Sequence, residues 1–112
     1  MPLTRAADPL VTAEKAHTVI LGRHFEELIP GFIENRRREL EELHGALEAG
    51  RYGELGQLGH RMRGIGATYG FDRVSIVGGQ IEELAAAADH AGLAARIADY
   101  ADYLAHLKVV YE

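Results

Sequence analysis

The sequence predicts an all-α protein: an antiparallel up-and-down four-helix bundle with a short extra N-terminal helix or tail. Three observations carry that expectation. Four stretches repeat apolar residues every three or four positions, the period of one buried helix face. Glycines punctuate the stretches, and the joints between them are short, which makes successive helices antiparallel neighbours. No stretch shows the period-2 alternation of a half-buried strand. The 112 residues, 47% of them hydrophobic, suit one domain with a single core.

Residues 1–20 read as a leader and residues 21–112 as the bundle. The leader carries Pro2 and the turn signal Asp8-Pro9 without sustained periodicity. Phe25, Leu28 and Ile29 then form a short apolar stripe, a helix over about 23–29 that Pro30 separates from a longer one or kinks into it. The longer helix buries Phe32, Ile33, Leu40, Leu43 and Leu47 and stops near Gly50. Its Arg36-Arg37-Arg38 run reads as a solvated face, with Arg37/Glu41 and Arg38/Glu42 as i,i+4 pairs. From Gly53 to Tyr69, Leu55, Leu58, Met62, Ile65 and Tyr69 make a core seam that ends at Gly70. Phe71, Val74, Val77 or Gly78, Ile81, Leu84 and Ala88 mark the next helix, with Asp72 suited to its positive end and Gly92 in the following joint. Leu93, Ile97, Tyr100, Leu104, Leu107 and Tyr111 carry the last helix to the C-terminus.

Composition removes several function classes. Lys and Arg total 12 against 17 Asp and Glu, a formal charge of −5, which disfavours nucleic acid as a partner. With no cysteine there are no disulfides, thiolate metal sites or cysteine nucleophiles. The longest aliphatic run near the start, Val19-Ile20-Leu21, is far short of a membrane span or signal core. The expected setting is the cytoplasm, without membrane contact, and the expected state is a monomer.

The second long helix is anomalous. Glycines stand at 53, 56, 59, 64, 66 and 70, and each interior glycine costs about 1 kcal/mol relative to alanine. Either the segment is not a helix or something requires bare backbone there, and the uninterrupted core seam argues for the helix. His60 lies two residues from both Leu58 and Met62, about 200° from each at 100° per residue, so it points away from the core. Around it on that face lie Gly56, Gln57, Arg63, Gly64 and Ala67, with Gly53 one turn further back. Such a face lets another protein come very close to one imidazole.

That arrangement suits phosphoryl transfer. A neutral imidazole offers a ring-nitrogen lone pair that can take a phosphoryl group. Arg63 at i+3 can offset the phosphoryl oxygens, and Gly64 at i+4 removes a crowding side chain. An acceptor on the next helix, Gln80 or Glu82, would hold the other ring nitrogen as N–H.

These residues resemble a known signature. His60, Arg63, Gly64 and Gly70 match the His, Lys/Arg at +3, Gly at +4 and Gly at +10 of histidine phosphotransfer (HPt) domains, and Glu82 matches the Glu or Gln at +22. The likeness runs from about Phe25 to Glu112. It implies a four-helix bundle that relays phosphate as a phosphorelay intermediate, exchanging it with the aspartate of response-regulator receiver domains or taking it from a hybrid sensor histidine kinase. It implies a phosphoryl carrier without ATP-dependent kinase activity or a cofactor, since Mg²⁺ belongs to the receiver. By the same resemblance His60 is the phosphoacceptor, Arg63 assists the phosphoryl group, Gly64 makes room and Glu82 orients the imidazole. Gly70 ends the helix and permits tight packing of the next. Arg63 stands where Lys is commoner, and Gly66 with Ala67 flattens the strip that sets receiver fit.

Other signals are weak. Residues 64–70 read GxGxxxG, without the spacing or preceding strand of a dinucleotide fingerprint. The remaining histidines form neither HxxxH nor Glu-x-x-His, and His44 with Glu41 and Glu48 reads as a solvated face. The rival reading from another class is a binding module, a scaffold or inhibitor that docks a receiver on the same glycine strip without taking phosphate. A metal-binding bundle ranks below both.

Overall fold

A computed structural model describes residues 18–112, so the expected turn at Asp8-Pro9 lies outside the described residues. Four helices form the bundle: α1 (Ile29–Glu48), α2 (Tyr52–Tyr69), α3 (Asp72–Ala86) and α4 (His90–His106). Among the described residues no helix is long and apolar enough to cross a membrane. The core joins Ile29, Phe32 and Leu43 of α1, Leu55, Leu58 and Met62 of α2, Val74, Val77 and Ile81 of α3, and Leu93, Ile97 and Tyr100 of α4. Phe71, fully buried between α2 and α3, packs its ring on Phe32 at 4.6 Å.

Pro30 falls in the first turn of α1, where its missing N–H has no intrahelical acceptor to lose. The extra helix expected over 23–29 is only a 3₁₀ turn, Arg23–Phe25, so the proline separates rather than kinks. α1 and α2 close alike. Gly50 and Gly70 adopt left-handed φ of 69° and 79°, and the amide after each reaches back to close the helix, Arg51 to the Ala46 carbonyl and Phe71 to the Gly66 carbonyl, both at 2.8 Å. At the end of α3 the left-handed residue is Ala88 (φ 52°), so that position belongs to the turn and not to the helix face. Asp89 caps α4 by accepting the Gly92 amide at 2.9 Å, which places Gly92 inside the first turn of α4 and not in the joint.

Two expectations fail for a shared reason. The C-terminal stripe does not stay helical to Tyr111: Leu107 is extended, and residues Lys108–Tyr111 form a strand, β2. It pairs in parallel with β1, Thr18–Leu21, in the register Thr18↔Lys108 to Leu21↔Tyr111. The expected boundary between residues 20 and 21 thus falls inside β1. Leu21 is buried and Val19, Val109 and Tyr111 pack on the core, while Ile20 and Val110 face outward. Four-residue strands are too short to establish alternation, and Leu104, Leu107 and Tyr111 keep a helical spacing by coincidence. Only the meeting of these two segments makes them strands.

The arginine run in α1 is the other correction. Arg37 and Arg38 are exposed, but Arg36 and Glu39 are buried within the apolar stripe. Arg36 Nε lies 3.0 Å from Glu39 Oε1, and its guanidinium covers the Phe32 ring at 4.8 Å. The expected i,i+4 pairs give way to other partners: Arg38 donates to Asn35 Oδ1 at 3.3 Å, and Glu42 reaches Arg61 of α2 at 3.8 Å. Burial pushes the Glu39 carboxyl above the usual range, against the pull of Arg36 and Arg61.

Candidate functional site

The site stands on the α2–α3 hairpin. His60 lies ten residues before Gly70, and Glu82 lies ten residues after Asp72. At 1.5 Å per residue both are about 15 Å from the turn, so the tight Gly70-Phe71 joint sets them level. The two helices then approach until backbones touch. A Cβ on Gly59 would come within 2.6 Å of the Gly78 carbonyl, one on Gly78 within 2.6 Å of the Arg63 amide, and one on Gly66 within 2.5 Å of the Ser75 amide. Gly59, Gly66 and Gly78 are therefore buried spacers between helices. This corrects the placing of Gly66 on the open strip: half of the glycine anomaly serves the fold.

The other half is open. A Cβ on Gly53 or Gly64 would meet nothing within 4 Å, and one on Gly56 only Ala85 Cβ at 3.7 Å. His60, with its side chain 66% exposed, stands between them. Its Nδ1 is 3.0 Å from Glu82 Oε2. A carboxylate only accepts, so in the neutral ring this contact selects the tautomer with hydrogen on Nδ1 and the lone pair on Nε2. The same carboxylate meets Arg63: Nη2 lies 3.4 Å from Glu82 Oε1, and the arginine stem crosses Gly79, whose Cβ would lie 3.4 Å from Arg63 Cδ. Of the two acceptors considered on α3, Glu82 faces the imidazole, while Gln80 is exposed.

Beside His60 runs an open groove of about 880 Å³, lined by Tyr52, Gly53, Gly56, Gln57, Ala85 and Ala86 and edged by Glu42 and Arg61. Gly53, Gly56 and Gln57 thus share a surface with His60. Ala67 is exposed but lies outside this groove. Gly70 has only its structural place at the turn. Sequence reasoning missed Arg61, although it adjoins His60. It also missed Tyr52, whose hydroxyl is 2.9 Å from His90 Nδ1 across the bundle end, a contact with no local signal. Among the described residues no group of three or more His, Asp or Glu side chains is placed to hold a metal ion.

The fold and the site together define a class: an antiparallel helical bundle that presents the exposed imidazole of His60 against the Glu82 carboxylate on an open glycine-lined face. The family model of the Hpt domain matches residues 27–109, and the chain belongs to that family. Hpt domains serve histidine phosphotransfer in two-component phosphorelays and interact with response-regulator receiver domains and kinases. No curated protein and no solved structure matches the chain.

Proposed function

We propose that this chain is a phosphorelay intermediate that exchanges a phosphoryl group between His60 Nε2 and the aspartate of a receiver domain. The observation that carries the reading is the 3.0 Å contact of His60 Nδ1 with Glu82, on an imidazole otherwise open to a partner. The Nε2 lone pair attacks phosphorus in line, the N–P bond forms, and the receiver's aspartyl oxygen leaves with the P–O electron pair. No proton has to depart from Nε2. The positive charge that grows on the ring is met by Glu82 through Nδ1–H. Arg63, half exposed and one turn on, is free to shift toward the phosphoryl oxygens. Gly64 leaves their approach open. Gly53, Gly56 and Gln57 form the docking surface beside the histidine, and Ala67 extends it on the far side of Gly64. Mg²⁺ belongs to the receiver, and this chain requires no cofactor.

The test is transfer from phosphorylated receiver domains with Mg²⁺, the product being mapped under non-acidic conditions. Acid-labile phosphate on His60, abolished in His60→Gln while receiver binding persists, is the expected result. A His60→Gln protein labelled at the full rate overturns the assignment. A folded protein that binds receivers yet takes no phosphate is instead a docking module.

A further inference from the structure

Beside the site the α2–α3 seam is closed by glycine backbone as well as by side chains. Helices hold their axial register by interlocking side-chain ridges. Here Gly59 and Gly78 meet backbone to backbone and Gly66 meets the Ser75 amide and the Phe71 carbonyl, with Met62, Val74 and Ile81 filling in around them. A slip of one residue is about 1.5 Å. That is enough to carry His60 Nδ1 and Glu82 out of hydrogen-bond range. Their own contact is a weak restraint, because the imidazole is 66% exposed.

A side-chain hydroxyl also crosses the seam, to the main chain of the facing helix. The Ser75 hydroxyl of α3 donates to the main-chain carbonyl of Arg63 in α2 at 2.8 Å. It acts on the residue whose guanidinium meets Glu82, and Ser75, Gly78 and Glu82 follow one another at helical spacing on the same side of α3. The other hydroxyl near this turn, Thr68, bonds back to the Gly64 carbonyl within α2 and does not cross. Arg63 O is an acceptor that every residue type supplies, which is why nothing in the signature points to its partner.

We propose that Ser75 is a positioning residue: its hydrogen bond to the Arg63 carbonyl holds α2 and α3 in the register that the Gly70-Phe71 joint gives them, and so keeps the geometry of the His60–Glu82–Arg63 group. Its kinetic consequence rests on His60 being the phosphoacceptor; its structural consequence does not. The test compares Ser75→Ala with Ser75→Thr, which restores the hydroxyl. Ring ¹⁵N spectra of unphosphorylated protein read the His60 tautomer, with the signal assigned by its loss in His60→Gln. Transfer from a phosphorylated receiver reads the rate.

In Ser75→Ala the His60 ring moves from the Nδ1–H form toward the mixed tautomers of a free imidazole, and transfer slows roughly tenfold. Ser75→Thr returns both toward wild type. A Ser75→Ala protein that melts earlier but keeps the wild-type His60 spectrum and rate gives the serine a merely structural role and overturns the proposal. Should Ser75→Ala fail to fold, Ser75→Cys, a weaker donor of similar shape, takes its place: a partial displacement supports the register role and a wild-type spectrum overturns it. A displaced spectrum in a protein that accepts no phosphate at all upholds Ser75 and sinks the phosphocarrier reading.

Discussion

Glu82 is divided between two donors of different kinds: one oxygen takes the imidazole N–H at 3.0 Å, and the other lies 3.4 Å from the Arg63 guanidinium. The Arg63 contact is long for a charge-assisted hydrogen bond and the side chain is 54% exposed, so the pair restrains Arg63 without locking it. Arg63→Ala is expected to slow phosphoryl transfer by about ten- to a hundredfold, the scale of losing one charge-stabilising donor. Its melting temperature should stay close to wild type. A mutant whose transfer is unimpaired in a rapid-quench assay would remove Arg63 from the chemistry. His60, Arg63 and Glu82 were legible at this scale because helical spacing puts the first two on one face and short joints bring the third across. Ser75 was not, since its partner is a main-chain atom.

Along α2 the glycines divide into two kinds, and substitution distinguishes them. Gly64 has open space where a Cβ would go, so Gly64→Ala should stabilise the protein by up to about 1 kcal/mol, the helix-propensity difference. Gly66 faces the Ser75 amide and the Phe71 carbonyl, where a Cβ would sit at 2.5 and 2.8 Å. Gly66→Ala must push the helices apart, and should cost about 1–3 kcal/mol despite the same propensity gain. Denaturant melts of the two variants should move in opposite directions. Equal shifts of the same sign would refute the division into packing and access glycines. Sequence periodicity found the helix and the excess of glycine but could not sort the two kinds, because which face meets α3 depends on the hairpin. The left-handed Ala88 was equally hidden, since most such closures carry glycine.

Across the whole molecule, the α1–α4 contact carries polar groups into the interior. Tyr100 is fully buried, and among the described residues its hydroxyl has no hydrogen-bond partner. Burial, reinforced by Glu39, pushes its phenol well above the usual range; burial also pushes Tyr103 up to about 12, with Arg73 opposing. Raised phenol pKa values mean that the native state holds protons the unfolded chain releases from about pH 10. Their contribution to stability is complete below that pH and is lost as pH rises from 10 through about 12. The protein should therefore unfold cooperatively in that window, with part of the tyrosinate absorbance appearing together with the loss of helical circular dichroism. Complete tyrosine ionisation below pH 11 with the helices intact would contradict the burial of this pair.

The sequence by itself determined the four helices, their order, and an exposed His60 with Arg63 and Gly64 on its face. Each follows from local periodicity, which is a property of short windows. Tertiary structure alone decided the rest, through contacts between residues far apart in the chain. Residues 18–21 and 108–111 become parallel strands only because they meet, and neither four-residue run alternates in a way that marks it beforehand. Arg36 leaves the expected solvated face, and Glu39 is buried beside it, because the bundle packs over that side of α1, with Arg61 of α2 and Tyr100 of α4 near the pair. Gly59 and Gly66 turn from open strip to backbone contact because the Gly70-Phe71 joint lays α3 against them. The same joint sets Glu82 level with His60, and so fixes which ring nitrogen keeps its lone pair.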